Sequence, residues 1–204
     1  METGNLSTEK SLQIIKETIE RSRNTIARNS GKPLVLWGSL VALTSLVIWV
    51  LWSSTGKPVW NLLWFAMSAI GLVITNIITK NREKVPESEV SRTLGVVWMW
   101  FGIITTGFYF MLWIVVLAAR ALEMDLNISV NLSLIISLMM GLCGIISGSV
   151  LNIKAVKVSV LVALLVSVPA ALLLKGPEQI LTFVVLGLLG LVVPGIILMK
   201  KSAE

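Results

Sequence analysis

The side chains able to do covalent or acid–base chemistry are few, and their spacing joins none of them into a reactive set. Histidine is absent, which removes imidazole proton relays, imidazole metal ligands and any triad with histidine as base. The one cysteine, Cys143, lies inside an apolar run and reads as a small packing residue. A single thiol makes neither an intramolecular disulfide nor a cysteine-rich metal site. There is no P-loop, no G-x-S-x-G and no H-E-x-x-H, and no pair of carboxylates sits within an apolar run. The sequence thus points to no catalytic residue, no metal ligand and no cofactor. What remains are weak hydrogen-bonding groups. Thr105, Tyr109 and Asn131 are the first candidates to line a polar cavity, if the fold encloses one. Interhelical hydrogen bonds are the default use of such side chains.

The elements that hold these residues are long and apolar. Hydrophobic residues make up 55% of the 204 and charged residues only 14%, against about 25% charged in an ordinary soluble domain. This excludes a disordered chain and a disulfide scaffold, and it points to an all-α polytopic membrane protein with the lipid bilayer as its first partner. Apolar runs fall at about 33–52, 58–79, 93–119, 129–151, 157–174 and 178–199. Each approaches or exceeds the roughly 20 residues that cross a bilayer core, the fifth only marginally. Helices are expected because lipid offers an unpaired backbone group no partner. Two organisational units follow: a polar segment at 1–32 and a six-helix transmembrane unit at 33–204. Between the last two spans, Gly176 is suited to positive φ and Pro177 to a first helical turn. The short Asn152–Lys157 break predicts an antiparallel hairpin of the fourth and fifth spans.

Orientation is read from Lys and Arg. With the N-terminus cytoplasmic, the inner segments hold 14 of the 17 basic residues and the outer ones only Lys57, Arg120 and Lys175. This count predicts both termini in the cytoplasm and a basic inner face that attracts anionic lipid headgroups. It also explains the net charge of +6 without nucleic acid. No secretory signal precedes the first span, which is expected to be a retained anchor. All eight Trp fall in the first three spans. Trp37, Trp98 and Trp100 are expected near the inner interface, and Trp49, Trp52, Trp60 and Trp64 near the outer one.

Within the spans no acid or base lies at a centre, which disfavours an ion-coupled pump. Pro169 and Pro194 are candidate kinks or hinges. Gly141, Gly144, Ser147 and Gly148 form a small-residue face in the fourth span, where another helix backbone can approach closely, from this chain or from another copy.

The segment ahead of the first span has helical periodicity. Ser7 is a candidate N-cap, and Leu12, Ile15, Ile19, Ser22 and Ile26 recur at three and four. The expected element is a cytoplasmic amphipathic helix, ended by Asn29-Ser30-Gly31-Lys32-Pro33 before the chain turns into the membrane. Such a helix would lie on the inner leaflet or under its own bundle. Alternatively Leu12, Ile15, Ile19 and Ile26 meet a protein partner or a second copy.

The run Ser11-Leu12-Gln13-Ile14-Ile15-Lys16-Glu17-Thr18-Ile19-Glu20, with Arg23 and then Gly31 through Leu36-Trp37-Gly38, resembles the start of a group of small, uncharacterised bacterial polytopic inner-membrane proteins. These also open with a short amphipathic helix and a span that begins Leu-Trp-Gly. The similarity covers about 40 residues, and Thr18 departs from the pattern, where a Met more often precedes the Ile. It implies an accessory or regulatory inner-membrane component and no activity. The functional expectation is therefore a non-enzymatic protein acting through protein contacts. The alternative is a small facilitator or channel for a neutral or lipid-like solute.

Overall fold

The computed structural model describes residues 3–80, 89–124 and 131–201. Every regular element among them is helical. Helix α1 runs Thr3–Thr55, and a 3-10 turn at Pro58–Leu62 leads into α2, Leu63–Lys80. Helices α3 (Glu89–Ala121), α4 (Leu132–Val150) and α5 (Lys154–Leu173) follow. A second 3-10 turn, Gly176–Ile180, opens the last segment: α6 (Leu181–Val185), a π-helical stretch (Leu186–Val192) and α7 (Val193–Lys201), end to end. Six segments are long and apolar enough to cross a membrane: Gly31–Thr55, Pro58–Ile78, Glu89–Ala121, Leu132–Val150, Lys154–Leu173 and Gly176–Lys200. These match the spans read from the apolar runs to within a few residues. Large apolar side chains such as Ile103, Ile114 and Leu165 point outward. In water so continuous an apolar surface would be an aggregation hazard, whereas lipid solvates it.

One boundary differs from the sequence reading. Gly31-Lys32-Pro33 does not end a helix; α1 continues through it with Pro33 inside. An interior proline costs about 3 kcal/mol, chiefly through one lost backbone hydrogen bond and crowding of the carbonyl four residues back. Packing on both sides of Pro33 offsets this. Gly31 abuts the backbone of Gly195, and Gly38 abuts that of Gly187. The result is a single rod of 53 residues, about 80 Å long at 1.5 Å per residue. The segment before Gly31 is thus continuous in helix with the first span.

The sixth segment is the centre of the bundle. Half of its most apolar window is buried, against none of that of α3. It is packed between α1 and α5, and α4 pairs with α5. Helices α2 and α3 lie at the periphery. One apolar cluster closes one end of the bundle, around Leu94, Leu151, Ile153, Val156 and Leu198. A larger one fills the rest, around Ile48, Met140, Phe183 and Leu186.

The turns show why the chain reverses where it does. At the end of α4, Asn152 has φ +54. The Ile153 N–H then donates back to the Gly148 carbonyl (2.9 Å) and the Asn152 N–H to that of Ser149 (3.0 Å). This is the Schellman closure, and it folds α5 back on α4 as the short break predicts. Glu123, at φ +51, closes α3 the same way, with the Met124 N–H donating to the Ala119 carbonyl. Gly176 adopts φ +61, and Pro177 sits in the first turn of the helix that follows, as its residue types predict.

Candidate functional site

The most distinctive surface is the part of α1 that lies beyond the first span. Leu12, Ile15 and Ile19 are all more than half exposed, and Ile14 beside them widens the strip. Ile26 continues the spacing, but its side chain lies outside the described residues. Within a bilayer such exposure is ordinary. On a rod extending past the apolar span it is a face that water solvates poorly. The Thr18 hydroxyl next to it donates to the Ile14 carbonyl at 2.7 Å and so adds little polar surface.

The opposite side of α1 is what anchors the rod. A side-chain carbon on Gly38 would fall 2.6 Å from the Gly187 carbonyl oxygen, and one on Gly187 would fall 2.7 Å from that of Gly38. Gly31 and Gly195 show the same mutual exclusion, at 2.7 and 2.8 Å. Two pairs of glycines therefore let α1 and the sixth segment touch backbone to backbone. Sequence reasoning singled out Pro194 in this segment, and only as a candidate kink or hinge. The missed signal was Gly31, Gly38 and Ser45 recurring every seventh residue, with Ala42 between them.

The small-residue face of α4 finds its partner within the chain. Gly141 meets the Leu164 side chain, Gly144 that of Val160, and Gly148 the Lys157 stem. Ser147 turns toward α3: it accepts from the Trp98 indole N–H at 3.1 Å while donating to the Cys143 carbonyl at 2.8 Å. The same pairing recurs between α1 and α2, where the Trp37 indole donates to the Thr75 hydroxyl at 3.1 Å. The Trp37 ring lies against Gly71, where any side chain would collide with it. These two tryptophans, expected at an interface, act as interhelical ties.

The three candidate cavity residues are each engaged. Thr105 donates to the carbonyls of its own helix, Phe101 at 2.7 Å and Gly102 at 3.2 Å. Tyr109, one turn on, packs edge-to-face on Phe65 of α2. Asn131 caps α4 by accepting from the Leu134 N–H at 3.0 Å, and its amide donates to the Ala171 carbonyl at 2.6 Å. Thr105 and Tyr109 share a face of α3, whereas Asn131 is bound to the end of α5. Gln179 joins Asn131 there, donating to the Leu174 carbonyl at 2.9 Å.

Of the two prolines, Pro169 lies on the outside of an otherwise continuous α5, and Pro194 is fully buried at the start of α7. Pro194 directly follows the π-helical stretch, which contains Gly187 and Gly190. Within that stretch the Leu189 carbonyl accepts from the Ser159 hydroxyl of α5. A π-stretch commonly marks a functional site, and no periodicity in the sequence announces this one. Among the described residues no group of three or more Cys, Asp or Glu is placed to hold a metal ion.

No protein-family model matches the chain, and no curated protein or solved structure matches it.

Proposed function

We propose that this chain is a non-enzymatic integral membrane protein that acts through protein contacts, as an accessory, sensor or regulatory subunit. The observation that carries the reading is α1: one continuous helix leaves the first span and, among the described residues, presents Leu12, Ile15 and Ile19 exposed beyond it. Because this helix runs without a break out of its own transmembrane span, a protein surface is the fitting cover for the strip. The distribution of Lys and Arg supports a cytoplasmic rod, both termini inside, and residence in the inner (plasma) membrane of a bacterium. The resemblance of the first 40 residues supports the same accessory role.

The test is recovery of partners from detergent extracts of the full chain. Ile15→Asp with Ile19→Asp inserts into membranes like the parent and loses its partner or its oligomer. Unchanged recovery refutes the reading.

The facilitator reading draws support from the π-stretch and buried Pro194 in the central segment. Reconstituted vesicles would then show selective flux sensitive to substitutions at Tyr109 and Pro194, and silent vesicles would dispose of it.

A further inference from the structure

We infer that α1 pairs with α1 of a second copy, in parallel, along a seam that runs through both the aqueous and the apolar parts of the helix. The inference rests on the contact role proposed for the rod and names its partner. Counting in sevens from Leu12 and from Ile15, the strip does not stop where the span begins. Because α1 is unbroken, the same count reaches Leu43, Val47 and Val50. All three are exposed to a similar degree as Leu12, Ile15 and Ile19, between 49% and 61%. A heptad repeat of this kind is the spacing that two helices bury between them. On a straight helix it drifts by about 20° per heptad, and a left-handed supercoil of the two chains removes that drift.

Within the span the fold leaves Leu43, Val47 and Val50 of this count exposed, whereas Pro33, Leu36 and Leu40 are half-buried and Trp37 beside them is tied to α2. The residues that touch the sixth segment, Gly31 and Gly38, are also seven apart, and the buried Ser45 continues the count. They precede the seam positions by two residues, which places them about 200° away around the helix. Pairing on the seam therefore leaves the glycine contacts to the sixth segment intact.

A second copy fits better than the other occupants. A soluble partner covers only the part beyond the span, and lipid covers only the part within it. A second α1 changes from aqueous to apolar surroundings at the same residue and, sharing the membrane, points the same way. The flanks also suit it. In a parallel pair, the positions of Lys16 and Arg23 fall opposite those of Ser11 and Thr18 of the other copy, so no like charges face each other.

Single cysteines placed in the full chain, with Cys143→Ala, test this by oxidative cross-linking in native membranes. Ser22→Cys and Leu43→Cys lie on the seam, one beyond the span and one within it. Glu17→Cys on the far side of α1 and Leu138→Cys, exposed on α4, are the controls. The expected result is a band of doubled mass at both seam sites and at neither control. Adding Ile15→Asp and Ile19→Asp should lower the Ser22→Cys band at least tenfold. Seam sites that cross-link no better than the controls overturn the inference, as does cross-linking at Ser22→Cys without Leu43→Cys. If cross-linking fails while those aspartates still release a different protein, self-pairing is refuted and the contact role stands.

Discussion

Replacing Gly38 by alanine tests the central packing claim, because the structure supplies both the sign and the size. The new methyl carbon would sit 2.6 Å from the Gly187 carbonyl oxygen, 2.7 Å from Leu191 Cβ and 2.9 Å from Val192 Cγ2. Reaching an ordinary 3.4 Å contact requires the two helices to part locally by about 0.8 Å. The obstructing oxygen belongs to backbone, so no side chain can swing aside. Overpacking of this kind costs about 1–3 kcal/mol, and the upper half of that range applies to a backbone obstacle. Alanine regains up to about 1 kcal/mol of helix propensity over glycine, which leaves a net loss of about 1–2 kcal/mol. Gly102→Ala on α3 is the matched control: its methyl meets nothing within 4 Å, so only the propensity gain remains. Reversible unfolding of both variants in mixed micelles measures the difference. If Gly38→Ala proves as stable as the parent, or Gly102→Ala is the more damaging of the two, α1 does not rest backbone to backbone on the sixth segment.

Three further outcomes are expected in the same assay. Ser167 is fully buried and its hydroxyl has no hydrogen-bond partner among the described residues, so Ser167→Ala should stabilise the protein by about 1 kcal/mol; a loss of stability would show that the hydroxyl is satisfied. Trp98→Phe and Ser147→Ala each break the tie between α3 and α4, and a double-mutant cycle should give a coupling of about 0.6 kcal/mol, whereas strict additivity would deny the bond. Asn131→Ala removes the α4 cap and leaves the Ala171 carbonyl without its 2.6 Å donor, for a cost of about 1–2 kcal/mol; a neutral result would remove Asn131 from that end of the bundle.

Much of the architecture is written in composition and spacing, because lipid leaves a backbone no option but to satisfy itself. Six continuous apolar runs therefore suffice to identify six helical segments and their ends to within a few residues. Local turn chemistry is equally legible. Gly176 with Pro177 and the short Asn152 break are governed by φ preferences and chain length, not by distant residues. The small-residue face of α4 was legible as a packing face, but not its partner: Val160 and Leu164 are two apolar residues among many until the hairpin sets their register. Whether Thr105, Tyr109 and Asn131 line a path was not legible. A hydroxyl or amide has the same character whether it lines a path or, like Thr105 and Asn131, is spent on a neighbouring carbonyl.

Two features were decided only by the assembled bundle. The Asn29–Pro33 stretch has every local mark of a helix stop, and in isolation the proline penalty would favour one. The helix nevertheless continues through it, where Gly31 and Gly38 contact the sixth segment, from residues about 150 positions away. The π-stretch at Leu186–Val192 likewise lies where α1 and α5 pack on the central segment. Propensity and periodicity act over a few residues, whereas the energy that settles these two features comes from contacts between segments far apart in the chain.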